Sequence, residues 1–338
     1  MTTQNDVAKL AGVSRRTVSN VVNGYPHVSE DVLRRVSAAI LELGYTPSQA
    51  ARSLRSGRSG LLQLVVPELD VPYFSELARG IVEAADSRGY AVLVRQTLGS
   101  REAESEALFG VAGKYSEGTI LSPVGPAAAW LEERPPGHPV VLIGEHGGAG
   151  AFVHVGIDDE AAAFEAATLL ISQGRRRIAF VGADPHGTLL MARKREAGYR
   201  RALSEAGLGV DERLVVATRS YHRADGSAAL SDLWESVERP DAVFCATDLL
   251  AVGVLRRAHE LAVAVPSDVS VVGFDDLEEG RFSVPSLTTV SPDKASIARA
   301  AVDALVGLVE GERGAVPDSS DVRVGFELRI RESSDVRS

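Results

Sequence analysis

Cysteine is nearly absent: Cys245 is the single thiol in 338 residues. One cysteine forms no internal disulfide, which suits a reducing compartment, and its place in the apolar run AVFCATD reads as strand packing. No run of 18 apolar residues occurs, so no transmembrane helix is expected. The chain also lacks a charged-then-apolar leader at its start, which points to the cytoplasm. Catalytic signatures are missing too. There is no Gly-x-Ser-x-Gly elbow, no Gly-rich loop ending in Lys-Ser/Thr and no His-Glu-x-x-His helix. The seven histidines are scattered, and Cys245 has no evident activating neighbour. No catalytic residues and no cofactor are expected. Asp275 and Asp276, with Glu278 and Glu279 nearby, form an acidic cluster, but neighbouring acids alone provide no converging oxygen cage, so no metal site is expected either.

The chain does have length, and its charge is unevenly distributed. At 338 residues and 45% hydrophobic content it can fill cores in two or more units. Residues 1–60 hold eight Lys/Arg against four Asp/Glu, a net of +4, so the whole-chain value of −10 leaves −14 for the rest. An acidic body with a basic head approaches a polyanion head first.

The head carries the most specific pattern. Val7, Leu10 and Ala11 fall at i, i+3 and i+4, a short helix with one buried stripe that Gly12 ends. Ser14 then caps a second helix, with Val18, Val21 and Val22 on its apolar side and Arg15, Arg16, Thr17, Ser19 and Asn20 facing outward. In a helix-turn-helix the first residues of the second helix meet base edges in the major groove. Arg can clamp O6 and N7 of guanine, and Asn can clamp N6 and N7 of adenine. The blander alternative is a three-helix domain with a solvated basic face.

A third helix starts at Ser29, has Glu30 and Asp31 in its first turn, carries Val32, Val36, Ala39, Ile40 and Leu43 on one side, and is closed by Gly44. After Pro47, residues 48–55 are helix-compatible but shorter than the ~12–15 residues a helix needs to persist alone. Arg52, Arg55 and Arg58 offer charge to phosphates, and Leu54 is a large apolar side chain suited to wedging between base pairs from the minor groove. A basic linker with Leu54 packed on a neighbouring domain is the alternative.

From about residue 60, apolar runs (LLQLVVP, AVLVRQ, GTILSP, PVVLIG, RRRIAFVGA, DAVFCATD, VSVVGFDD) alternate with Ala-rich amphipathic stretches. Fully apolar runs between helices signal parallel sheets covered on both faces. A strand, polar loop and helix recur in related form from Leu61 and from Arg175, which predicts two similar lobes, with residues 158–174 crossing between them. Ligands of such sheets sit beyond the carboxyl ends of the strands. The loops there hold Asp70, Tyr73, Phe74, Ser122, Glu145, His186, Arg193, Arg195, Tyr221, Thr247, Asp248, Asp275 and Asp276. Aromatic faces beside Arg and carboxylate groups suit a small polyhydroxylated or heterocyclic ligand. Asp248 and Asp276 read better as helix caps or loop clamps, and Arg193 as a solvated side chain.

The segments DVAKLAGVSRRTVSNVVNG and VSEDVLRRVSAAILELGYTPSQAARSLRSGRSG, the PxxxxPYF stretch from Pro67, and VVGFDD, PSLTTV and ELRIRES together resemble the lactose-repressor-type (LacI/GalR) family of regulators, over essentially the whole chain. Gln4 departs from the pattern, where that family usually has Ile or Leu. The resemblance implies a small all-α helix-turn-helix DNA-binding domain (1–46), a hinge helix or linker (47–59) and a two-lobed α/β periplasmic-binding-protein-like domain with parallel sheets (60–338). The lobes are expected at about 60–158 with 291–321, and at about 159–290 with 322–338. It carries Arg195 and Asp275 over as the main polar effector contacts and Tyr73, Phe74 and Tyr221 as an aromatic wall. Ser122, Glu145 and Thr247 complete the expected pocket, Thr247 standing where several sugar-responsive relatives have Asn.

The function so implied is a repressor. A homodimer binds a palindromic double-stranded operator, and a small-molecule effector, a carbohydrate by family precedent, adjusts that binding. Arg52, Leu54 and Arg55 would act at the operator centre. A nucleoside or purine co-repressor is the alternative effector. A sensor or enzyme with only non-specific DNA affinity is the alternative class, and an exported solute-binding protein would require a leader and no basic head. No heptad tail follows Arg331, which favours a dimer over a tail-assembled tetramer.

Overall fold

The structure is a computed structural model and describes residues 2–22, 25–45, 58–124, 131, 133, 135–144, 152–186, 189–236, 238–311 and 321–334. The chain forms two compact units, Met1–Gly60 and Leu61–Ser338.

In the first unit, helices α1 (Gln4–Ala11), α2 (Arg15–Val22) and α3 (Glu30–Glu42) enclose a small core of Val7, Ala8, Ala11, Val18, Val36 and Ala39. A capping box starts α1: the Asp6 N–H donates to the Thr3 hydroxyl (3.4 Å), and the Thr3 N–H donates back to the Asp6 carboxylate (2.8 Å). Burial opposes the Asp6 charge less than the Thr3 bonds favour it, and its carboxyl sits below the usual range. Gly12 ends α1 at φ 64°, left-handed geometry that favours glycine. Leu10, read as part of the apolar stripe, is exposed, and Ala8 takes the buried position. Val7, Ala11 and Ala8 share one side of α1, and Leu10 falls about 60° beyond Val7 on the other.

In the second unit, β1 (Leu61–Val66), β2 (Ala91–Gln96), β3 (Gly118–Leu121), β4 (Val140–Ile143), β5 (Val153–Gly156) and β11 (Asp321–Arg323) form one sheet in the order β11-β5-β4-β3-β1-β2, every pair parallel. The other sheet is β12-β10-β9-β8-β6-β7, built from β6 (Ile178–Ala183), β7 (Val215–Ala217), β8 (Ala242–Cys245), β9 (Ser270–Phe274), β10 (Thr288–Pro292) and β12 (Phe326–Arg329). It is parallel except for β12, an antiparallel edge strand on β10. Each sheet is thus assembled from separate stretches of chain: after β10 the chain leaves the second sheet, and β11 then joins the first and β12 the second. Buried Gln63 on β1 is satisfied on both sides: its amide donates to the Ala107 carbonyl (3.2 Å) and accepts from the Ser116 hydroxyl (3.3 Å).

Helices cover both sheets. In the first lobe these are α4 (Pro72–Ser87), α5 (Arg101–Phe109), α6 (Val111–Tyr115) and α12 (Lys294–Glu310), with α12 packed on α4 and on β3 to β5. In the second they are α7 (Asp159–Ser172), α8 (Leu190–Glu205), α9 (Arg223–Glu235), α10 (Asp248–Glu260) and the short α11 (Glu278–Phe282). The second core is anchored by Phe180, stacked on Tyr199 (5.4 Å) and edge-on to Phe244 (5.5 Å), while the Tyr199 hydroxyl donates to the Ile178 carbonyl (2.8 Å). Among the described residues no helix is long and apolar enough to cross a membrane.

Candidate functional site

On α2, the Thr17 N–H donates to the Ser14 side chain (3.1 Å), which caps the helix and fixes its first turn. Arg15 and Arg16 stand exposed on that turn, with Thr17 and Asn20 partly exposed. Ser19 does not join them. It is 6% exposed although it follows Arg15 by one turn and so shares its side of the helix, a burial that helical spacing alone does not foretell. Gln4 makes a polar contact, its side-chain carbonyl accepting from Arg15 Nε at 3.4 Å. Arg52, Leu54 and Arg55 lie outside the described residues, as does the hinge helix proposed for 48–55.

Beyond the carboxyl ends of β1, β3, β6, β8 and β9, a cavity of about 350 Å³ opens between the two lobes. Tyr73, Phe74, Ser122, Arg195, Tyr221, Thr247 and Asp275 all border it. Glu145 lies outside the described residues. Asp70, His186 and Arg193 are exposed and do not line the cavity. Pro72 starts α4, and Tyr73 and Phe74 follow in its first turn as an edge-to-face ring pair (5.3 Å).

The polar base of the cavity is a buried charge cluster. Arg195 is 4% exposed; its Nε donates to Asp159 (2.9 Å), its Nη1 donates to the Ala246 carbonyl (2.6 Å), and Nη1 lies 3.6 Å from the Asp275 carboxylate. The guanidinium also stacks on Phe274, 3.5 Å from the ring centre. Helix packing makes this reach short. A Cβ on Gly198 would stand 2.2 Å from the Glu160 carbonyl, so only glycine lets α8 approach α7 this closely. Asp159, in the first turn of α7, is thereby brought under Arg195.

Three residues of the cleft loops serve the scaffold: Thr247, expected at the pocket, and Asp248 and Asp276, expected as caps or clamps. The Thr247 hydroxyl accepts from the Leu250 N–H (3.3 Å) as the cap of α10, which uses part of its capacity before a ligand arrives. Asp248 is fully buried, accepting from the Thr289 hydroxyl (2.6 Å) and the Leu277 N–H (2.8 Å); burial pushes its carboxyl up to about 6. Asp276 clamps the same region. Burial opposes its charge, yet the Arg331 (2.6 Å) and Arg281 (3.1 Å) guanidiniums and the Ser291 hydroxyl (2.9 Å) hold its carboxyl below the usual range. No group of three or more His, Cys, Asp or Glu poised for a metal occurs among the described residues.

Several cavity residues were not singled out from the sequence: Glu68, Leu98, Met191 and His222 on the walls, with Asp159 and Phe274 beneath Arg195. His222 Nε2 and Glu68 Oε2, from opposite lobes, approach to 3.1 Å. For Asp159 the available signal was an acid opening a helix just where the chain changes lobe.

Residues 3–48 match the family described as "Bacterial regulatory proteins, lacI family", and residues 167–334 match "Periplasmic binding protein-like domain". The chain is 33% identical to catabolite control protein A of Priestia megaterium over 330 residues, 97% of this chain and 98% of that protein. A solved transcriptional regulator CelR–cellobiose complex is 30% identical, with a TM-score of 0.73, over 99% of this chain and 100% of that one. The Lac repressor dimer bound to operator and the anti-inducer ONPF is 25% identical, with a TM-score of 0.85, over 98% and 99%. With its helix-turn-helix, its two-lobed body and these matches along its whole length, the chain belongs to the LacI family of bacterial regulatory proteins.

Proposed function

We propose that this chain is a cytoplasmic transcriptional repressor, not an enzyme, that binds a palindromic operator as a homodimer and answers to a small sugar in the interlobe cleft. The observation that carries this reading is the pairing of an exposed Arg15-Arg16 turn on a capped α2 with a cavity based on a buried Arg195–Asp159–Asp275 cluster. Arg15, Arg16, Thr17 and Asn20 read each half-site, while Arg52, Leu54 and Arg55 act at the operator centre. A cluster of fixed charges within hydrogen-bond reach suits ligand hydroxyls, and the Tyr73 and Phe74 rings offer faces to a sugar's apolar side. Dimerisation is supported by Phe282 and Val284, bulky apolar side chains 77% and 92% exposed on one short stretch. The similarity to the CelR–cellobiose complex adds weight to a saccharide effector.

The test is retention of fragmented genomic DNA by the purified protein, followed by sequencing. A shared palindrome is the expected result, with Leu54→Ala weakening its retention and leaving ligand binding intact. Neutralising ~8 phosphates per dimer gives a log-log salt slope of about −7. Retention without a common sequence, or a slope near −1, would overturn the reading.

A further inference from the structure

We propose that Lys294 is a positioning residue for the effector cleft: its ammonium holds the Asp275 and Asp276 carbonyls of one lobe against Glu76 of the other, and so sets the direction of the Asp275 carboxylate. The proposal rests on the reading of the cleft as the effector site.

Lys294 is the first residue of α12, directly after the chain passes from β10 into the first lobe. Its side chain is largely buried. Nζ makes three hydrogen bonds: to the Glu76 carboxylate (2.5 Å), to the Asp275 carbonyl (2.8 Å) and to the Asp276 carbonyl (3.2 Å). An ammonium has three donors, and here they meet three acceptors. Glu76 lies on α4, in the turn after the aromatic wall residues Tyr73 and Phe74.

The two carbonyls converge because of an unusual backbone. Asp275 and Asp276 have φ of 117° and 48°, successive positive values in residues that carry a Cβ. Such conformations persist only when their surroundings over-determine them. Asp276 is gripped at both ends, its carboxylate by Arg331 and Arg281 and its carbonyl by Lys294. Asp275 is gripped through its backbone, its N–H donating to the Val290 carbonyl (2.9 Å) and its carbonyl accepting from Lys294. With φ fixed in this way, the carboxylate is delivered into the cavity beside Arg195, which Lys294 itself does not touch.

Two variants separate positioning from simple support. Lys294→Met keeps the apolar stem and removes all three donors; Lys294→Arg restores a cation with a different fork. In the full-length protein, amide exchange at Asp275 and Asp276 is expected to quicken at least tenfold in Lys294→Met and to slow again in Lys294→Arg, with Val271 and Val272 on β9 unchanged. The binding probe is a panel of free mono- and disaccharides, cellobiose included, with nucleosides and purine bases as contrast. Any panel member that binds the wild type should lose at least tenfold in affinity in Lys294→Met and recover part of it in Lys294→Arg. Unchanged exchange at 275–276, or wild-type affinity beside a lowered melting temperature, would overturn the proposal. If no saccharide binds the wild type, the sugar reading fails by itself, and the exchange comparison still decides the role of Lys294.

Discussion

Arginine is used in opposite ways at the two ends of this molecule. On α2, Arg15 and Arg16 are exposed, and among the described residues Arg15 meets only the Gln4 side chain. In the cleft, Arg195 is enclosed by Asp159, Asp275, the Ala246 carbonyl and the face of Phe274. The contrast follows from the partner. A duplex brings its own dense negative charge, so cations that greet it are best left available. The neutral sugar proposed for the cleft would bring none, and an unpaired guanidinium there would be expensive to bury, so the fold supplies the counter-charges.

Removing the buried cation should give the largest effect. Arg195→Ala leaves the Asp159 and Asp275 carboxylates buried without their partner, and breaking such a pair costs about 3–5 kcal/mol. Urea unfolding of the body should shift accordingly, and ligand response should vanish. A loss below about 1 kcal/mol would mean that water replaces the guanidinium and that the cluster is not dry. Removing an exposed cation should leave stability untouched. Arg16→Ala is expected to weaken operator binding by about 1–3 kcal/mol. Should the loss be equal on unrelated DNA, Arg16 contacts phosphate and not a base edge.

The architecture was legible where one property runs unbroken along the chain. The head declared itself through Ser14, Gly12 and the valine spacing, and seven strands through continuous apolar runs. The remaining strands, β5, β7, β10, β11 and β12, are short or carry polar residues whose partners arrive from far along the sequence. His154 on β5 is satisfied by Asp321 (2.8 Å), and Thr288 on β10 accepts from the Arg331 N–H (2.8 Å). The cavity border was legible from topology, since loops after parallel strands converge at one end. Its support was not. Asp159 reaches Arg195 only because Gly198 lets two helices touch, and Lys294 reads in isolation as an ordinary cation at a helix start.

Asp248 tests the buried side of the comparison by pH. Burial raises its folded carboxyl from 3.8 to about 6, so its contribution to stability is fully present below 3.8 and is lost as pH rises through about 6. Asn satisfies both partners, with its carbonyl accepting from the Leu277 N–H and its amide donating to the Thr289 oxygen. Thermal melts should therefore show Asp248→Asn gaining on the wild type between pH 4 and pH 7, by a few degrees or less. The opposite trend would mean that the field of Lys294 outweighs burial.

The smallest effect should come from Gln4, where the family resemblance leads to the expectation of an apolar residue. Its bond to Arg15 is long and solvent-facing, so it is worth no more than about 0.5–1.5 kcal/mol. Gln4→Leu releases Arg15 and adds apolar surface beside α1. If Gln4 holds Arg15 in a base-reading pose, the ratio of specific to non-specific affinity should fall about two- to tenfold, with the melting temperature kept or raised. An unchanged ratio would show that α2 alone directs Arg15, and that the exposed cations of the head work without any fixed partner, the reverse of what Arg195 requires.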